Sequence, residues 1–407
     1  MNPLKLAPAT REHARSLDSG DPLRDFRDRF LLDDDVIYLD GNSLGALPRT
    51  TVERMREVVS EQWGNRLIRG WDEGWLELPL TVGDRLGSLL GAGAGELVIA
   101  DSTTVCFYKL ARAALDLRPG RRQIVTDLDN FPTDRYVLEG IAQAGDAHID
   151  WLRCDRTLGP RVEDLAAVIG ANTALVTFSH VSYRSGFVAD MAAISRLAHE
   201  AGALTLWDLS HSAGSVPVAL HEDGADLAVG CTYKYLSGGP GAPAYMYADR
   251  RLLAELRQPI WGWLGRRDPF AMGPGYLPAD GIRRLLSGSP PVLALTAVDE
   301  GIKLVAEAGM ERIHAKAMAL TDFAIALVDA RLAQLHFSIA SPRNRLRRGA
   351  HVAVAHGEAE ALCAALIPRG VIVDFRGPDV IRLGLSPLTT RFVDVWDAVE
   401  ALRALVD

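Results

Sequence analysis

Six short apolar runs do most to limit how this chain can fold. They are Leu97–Ala100, Gln123–Thr126, Ala174–Phe178, Ala203–Trp207, Leu227–Val229 and Ala244–Tyr247. Helix-period stretches such as Val162–Ile169 and Met191–Ala201 lie between several of them. In the second, Met191, Ile194, Leu197 and Ala198 form one apolar face. Strand–helix–strand alternation predicts a mainly parallel sheet covered by helices, an α/β architecture. At 407 residues the chain is too long for one ordinary core, so a large domain and a smaller one are expected.

Past residue 290 the pattern changes. Pro291–Leu335 reads as one or two long helices, with an apolar stripe of Leu293, Leu295, Val298, Ile302 and Val305. Then come strand His351–Ala355, helix Glu358–Leu366, strands Val371–Asp374 and Val380–Leu383, and helix Arg391–Leu405. That is a small α+β unit. The expected organisation is therefore a large domain over 51–290, a linking helix region over 291–335 and a small domain over 336–407, which residues 1–50 join.

Charge and cysteine content exclude several functions. The net charge is -8 with no long basic run, so nucleic acid is not an expected partner. Cys106, Cys154, Cys231 and Cys363 are widely spaced and form no CxxC pair. Neither a zinc site nor a disulfide framework is suggested, and free thiols suit a reducing cytoplasm. The histidines show no metal-ligand spacing, so no metal is expected. The N-terminus carries charges throughout and does not read as a signal peptide. No stretch of about 18 uninterrupted apolar residues predicts a membrane span.

The chemistry concentrates in Trp207-Asp-Leu-Ser-His-Ser-Ala-Gly and Gly230-Cys-Thr-Tyr-Lys-Tyr-Leu-Ser-Gly-Gly-Pro-Gly. Asp208 follows one apolar run and Lys234 follows the next, beside a glycine-rich turn. Open parallel sheets bind ligands beyond the carboxyl ends of their strands. A lysine amine and a carboxylate at neighbouring strand ends can serve pyridoxal phosphate (PLP). The amine forms an imine, and the carboxylate keeps the pyridine nitrogen protonated.

Asp101-Ser-Thr-Thr, between Leu97–Ala100 and the helical run Val105–Leu115, offers N–H groups and hydroxyls for a phosphate, or simply caps the helix. Phe131-Pro-Thr-Asp, after Gln123–Thr126, could place an aromatic on a pyridine ring and Asp134 beside it, or be a turn. Asp40-Gly-Asn-Ser-Leu-Gly reads alone only as a turn.

Taken in order, DGNSLG at 40–45, FPTD at 131–134, WDLSHSAG at 207–214, TYKYLSGGPG at 232–241 and GWLG at 262–265 resemble kynureninase over most of the chain. The resemblance implies PLP-dependent transferase fold type I, of the aspartate aminotransferase superfamily. It also implies a homodimer with composite active sites. The implied activity belongs to a hydrolase acting on carbon–carbon bonds in ketonic substances. It cleaves the Cβ–Cγ bond of L-kynurenine to give anthranilate and L-alanine, in tryptophan catabolism and on the kynurenine route to NAD.

The resemblance also implies roles. Lys234 would carry the cofactor imine, Asp208 would pair with the pyridinium, Phe131 would stack on the ring and Asp134 would lie beside it. Thr103, Thr104, Ser179, His211 and Tyr233 would surround the cofactor, with Tyr233 also the proton donor to Cβ. Trp263 would meet cofactor and substrate, and Ser289 would arrive from the partner subunit. Arg382 would clamp the substrate carboxylate, with Ser43 and Trp71 on the substrate side. Trp71 and Ser289 stand where a histidine and an asparagine accompany a preference for 3-hydroxykynurenine, so that substrate is expected to react less efficiently than kynurenine. Cys106, Leu264 and Ser289 depart from the family pattern without removing a catalytic group. A cysteine desulfurase or class V aminotransferase is the alternative, but a desulfurase needs a mobile loop cysteine. The C-terminal half offers only Cys363, inside a helical pattern.

Overall fold

The structure, a computed structural model, describes residues 10–145 and 147–406. Its centre is a seven-stranded sheet. In chain order the strands are β1 (Leu97–Ala100), β2 (Gln123–Asp127), β3 (His148–Leu152), β4 (Thr173–Ser179), β5 (Leu204–Asp208), β6 (Leu227–Gly230) and β7 (Ala244–Ala248). Across the sheet they run β1-β7-β6-β5-β4-β2-β3. Every pairing is parallel except the two made by β7.

All six predicted runs are strands. Five of them are buried throughout, and β4 at all but its last residue, which is why each reads as a mainly apolar run without polar alternation. The seventh, β3, went unpredicted. His-Ile-Asp-Trp-Leu is an edge strand with an exposed or half-buried face at every position, so it lacks that signature.

The stretch over 291–335 is two helices, Val292–Ala308 and Met310–Arg331, interrupted at Gly309 with φ +80°. Leu295, Val298, Ile302 and Val305 from the first pack into the core under the large sheet. Leu320, Ala324, Leu327 and Val328 from the second pack into a separate core. That core covers a four-stranded antiparallel sheet in the order Ser338–Ile339, His351–Ala355, Val380–Gly384, Asp374–Arg376.

The predicted strand Val371–Asp374 is two. Val371–Ile372 pairs in parallel with Ile37–Tyr38 near the N-terminus, and Asp374–Arg376 turns to pair with Val380–Gly384. The N-terminal helix Arg11–Ser19 lies on the C-terminal helix Phe392–Val406. Asp18 accepts the N–H groups of Phe392 and Val393 at 2.7 and 3.1 Å. A carboxylate at a helix N-terminus is a favourable cap. Among the described residues no helix is long and apolar enough to cross a membrane.

Candidate active site

Asp208 is the last residue of β5, and its carboxylate accepts the Ser210 N–H at 2.8 Å. Lys234 lies in the loop between β6 and β7 and is buried. Strand ends of a parallel sheet thus bring both to one edge.

The surroundings of the lysine are unusual for this chain. It has five lysines. Lys109 is ion-paired with Asp101, Lys316 with Asp21, and Lys303 with Asp299 and Glu300. Lys5 lies outside the described residues. The Lys234 amine instead faces a histidine and aromatic rings. Nζ is 3.3 and 3.4 Å from the His211 ring nitrogens, and 5.7 and 5.9 Å from the ring centres of Phe131 and Tyr233. Burial, with the charges of Lys234 and Arg382, holds His211 well below the usual imidazole range, so it is neutral beside the amine.

Asp134 sits in the first turn of helix Pro132–Gln143 and is 1% exposed. Neither carboxylate oxygen has a hydrogen-bond partner. Burial and the neighbouring charge of Asp208 push its carboxyl well up, while Lys234 pulls the other way. A buried, orphaned carboxyl is costly unless a ligand completes it.

Phe131 is fixed by Asn130, whose side-chain oxygen accepts the Phe131 N–H at 2.8 Å and the Ser179 hydroxyl at 2.8 Å. Phe131 also meets Tyr183 edge-on at 5.3 Å. Burial raises the Tyr233 hydroxyl, with help from Cys231, so it stays protonated.

Thr103 and Thr104 begin helix Thr103–Asp116, which Ser102 caps by accepting the Val105 N–H at 3.4 Å. The capping reading of that segment holds, and Thr103 and Thr104 stand at the helix start. Trp263 opens the short helix Trp263–Gly265 and meets Phe270 at 5.8 Å.

Ser43 and Arg382 form a second group. Arg382 donates from Nη2 to Ser43 Oγ at 3.0 Å. It also forms a bidentate pair with Asp374, with Nε to Oδ1 at 2.7 Å and Nη2 to Oδ2. Sequence reasoning missed Asp374. The signal was available, because Asp374 and Arg382 are directly opposed in the hairpin around Gly377-Pro378. Reading Val371–Asp374 as one strand hid that register. Asp40, nearby, is pushed up to about 6 by burial and by Asp374. His351, with both ring nitrogens unpartnered, lies 5.8 Å from His211 and was also missed.

The turn at 40–45 joins the two groups. Gly45 N donates to Tyr233 O at 2.7 Å, and a Cβ at Gly45 would collide with the Lys234 carbonyl and the Ser237 side chain. At its other end Leu39 O accepts Gly384 N at 2.7 Å, next to Arg382. The glycine is there for close approach, which a turn signal alone does not reveal.

Trp71 and Ser289 meet in a separate groove of about 520 Å³, lined also by Trp63, Trp75 and Pro290. Trp71 packs edge-on against Trp75 at 5.5 Å.

Comparison with known proteins sets this geometry in context. The family model described as the kynureninase C-terminal domain matches residues 313–402. The chain is 44% identical over 405 residues to the kynureninase of Pseudomonas fluorescens, covering 98% of this chain and 96% of that one. It is 44% identical over 403 residues to the kynureninase of Burkholderia pseudomallei (strain K96243), with the same coverages. Among solved structures it resembles a cysteine desulfurase from Thermococcus onnurineus NA1, with a TM-score of 0.84 and 18% identity over 94% of this chain and 97% of that one. A C-DES mutant with glycine covalently linked to its PLP cofactor gives a TM-score of 0.82 at 18% identity, over 92% and 98%. Those likenesses establish the fold, that of fold-type-I PLP enzymes.

Proposed function

This chain belongs to the kynureninase family, and from that premise we propose that it hydrolyses L-kynurenine to anthranilate and L-alanine with pyridoxal 5′-phosphate as cofactor. The observation that carries the reading is the orphaned, buried Asp134 carboxyl beside Asp208 and Lys234. A flat, polar, positively charged ring is the kind of ligand that such a set completes. Bound there, the cofactor supplies a carbonyl that condenses with amines and a pyridinium that accepts electron density.

The chain's own residues divide the remaining work. Lys234 binds the cofactor and then, as a free amine, holds the proton taken from the substrate Cα. Asp208 holds the proton on the ring nitrogen, with Asp134 beside it and the face of Phe131 against the ring. Thr103, Thr104, Ser179 and His211 would hold the cofactor, mostly at its phosphate end, and Trp263 would complete its surroundings together with Ser289 of the partner subunit. A neutral His211 beside Lys234 suits a lysine that must give up its proton. Hydrolysis adds water across Cβ–Cγ: oxygen goes to the γ-carbonyl carbon, giving the anthranilate carboxylate, and a proton goes to Cβ, giving the alanine methyl. Tyr233, protonated and next to Lys234, supplies that proton. Arg382 receives the α-carboxylate, as a guanidinium fork suits, with Ser43 beside it on the substrate side. Asp101–Thr104, Phe131–Asp134, Asp208 and Lys234 all fall in the large cofactor-binding domain over 51–290. The described residues from 336 onward make the small domain, joined by Ala14 and Leu39 from the N-terminal segment while Leu23 and Phe30 pack under the large sheet, and 291–335 link the two.

The test is direct. Purified protein given L-kynurenine should release anthranilate fluorescence and L-alanine one for one. Cofactor-loaded protein that releases neither overturns the proposal. With 3-hydroxykynurenine kcat/KM should be lower, by about a hundredfold at most, since an apolar wall such as Trp71 rejects an added hydroxyl only weakly. A higher value for the hydroxylated substrate refutes the reading of Trp71 and Ser289.

The finer assembly is a cytoplasmic homodimer in which Ser289 completes the neighbour's site. Supporting it, Trp63 (56% exposed), Leu67 (58%) and Ile68 (75%) leave an apolar face next to the Ser289 groove. Exposed patches of that kind mark interaction sites. Sedimentation should give a dimer, and a fully active monomer overturns the composite site.

The desulfurase alternative fares worse. Cys363 is buried in helix Ala359–Leu366, and burial pushes its thiol up to about 12. A thiol held there is neither mobile nor nucleophilic.

A further inference from the structure

The Arg382 side chain is 1% exposed, so each of its five N–H groups needs an acceptor. All five have one. Nε and one Nη2 hydrogen go to Asp374, and the other Nη2 hydrogen goes to Ser43 Oγ. Nη1 donates to the Tyr183 carbonyl at 2.6 Å. Asn42, with its amide oxygen turned toward the guanidinium, lies 3.3 Å from both Nη1 and Nε and takes the remaining Nη1 hydrogen. A substrate carboxylate therefore cannot simply add to this arginine. It has to replace something.

The acceptors differ in strength. Asp374 holds the Nε–Nη2 edge through a charged, bidentate pair, and charge-assisted hydrogen bonds are roughly twice as strong as neutral ones. Asp374 is itself braced, by the Ser43 hydroxyl at 3.1 Å and Arg376 at 2.7 Å. Ser43 holds Nη2 through a neutral bond, and Asn42 holds Nη1 through a long neutral contact that it shares with Nε. We propose that Asp374 is a positioning residue for the substrate: it keeps the Nε–Nη2 edge of Arg382 and so aims the Nη1–Nη2 end at the α-carboxylate, which takes the places of the Ser43 and Asn42 acceptors. Burial alone would raise the Asp374 carboxyl, but its bonds with Arg382 hold it below the usual range, so it stays charged while the substrate enters. The proposal rests on the reading of Arg382 as the carboxylate clamp.

Charge counting predicts the opposite. Asp374 is an anion beside the seat of another anion, and on that ground its removal would tighten binding. The two accounts differ in sign, which makes the experiment decisive. In the cofactor-loaded enzyme, Asp374→Asn should raise KM for L-kynurenine, and the dissociation constant of L-alanine read from cofactor absorbance, by at least about tenfold through misplacement of the fork. The change in kcat should be much smaller, because the interaction is made already in the ground state. Affinity for the amine that lacks the α-carboxylate should not move. A lower or unaltered KM in a folded variant overturns the proposal, and so does equal weakening toward the carboxylate-free amine. Should the amide variant fail to fold, Asp374→Glu keeps the charge but lengthens the side chain. It must still raise KM, and an unaltered value again overturns the proposal. Arg382→Lys is measured alongside, replacing the fork with a point charge. If that change leaves KM unaltered, the clamp assignment itself fails. If it raises KM while the Asp374 variants do not, only the Asp374 proposal fails.

Discussion

Lys234→Ala should keep its fold and lose kynurenine hydrolysis by roughly 10⁴-fold, the upper range of what one acid–base group contributes. Truncation here should be mild for stability. The amine makes no ion pair with a carboxylate; its nearest neighbours are His211 and two rings, and its charge reaches the buried Asp134 without a direct bond. His211 is neutral, and losing an adjacent cation relieves rather than strains it. The other described lysines would each leave a carboxylate behind. Circular dichroism and thermal unfolding should therefore match the parent within a few degrees, while anthranilate release disappears. Borohydride reduction of the loaded parent, followed by peptide mapping, should put the pyridoxyl group on Lys234. A label on another lysine, or substantial turnover by the alanine variant, removes the basis of the assignment.

The second large effect is expected at Asp208→Asn. An amide preserves shape and can still accept the Ser210 N–H, but it cannot hold a proton on a pyridine nitrogen as an anion does. The loss should fall on kcat, by roughly 10²- to 10³-fold, as for other groups that stabilise developing charge in dry sites. Asp134 cannot stand in for it. Burial, the largest cause, still pushes the Asp134 carboxyl up once the Asp208 charge is gone, which disfavours its anion. Near-normal kcat in the asparagine variant would show that Asp208 does not serve the ring nitrogen.

The sequence made the cofactor end of the site legible because its residues sit at strand ends, and buried parallel strands announce themselves as apolar runs. Asp208 and Lys234 could be located from that pattern before any comparison. The substrate end was harder. Arg382 was found only through a resemblance, and Asp374 not at all, because its position depends on where a strand breaks. Val373 separates a segment that pairs with Ile37–Tyr38 from one that pairs with Val380–Gly384. Val371, Ile372 and Val373 form one apolar run, and nothing in it signals that change of partner. His148–Leu152 escaped for a different reason, since an edge strand needs no continuous apolar face. Asn130 was passed over as part of a turn, yet its one side chain orients both Phe131 and Ser179.

The turn at 40–45 has a consequence for how the molecule is made. It leaves the ribosome before the segments it docks on, since one end meets Tyr233 and Lys234 and the other Gly384. Contacts spanning well over three hundred residues close late, since the entropy of loop closure must be met before they form. The large sheet can assemble while synthesis continues, but the substrate end cannot. A nascent chain can thus acquire its lysine pocket roughly 150 residues of translation before it acquires Arg382, the arginine proposed to clamp the substrate. Pulse-labelled nascent chains should accordingly capture cofactor before they bind amino acids, an order of maturation written into the topology rather than into any single residue.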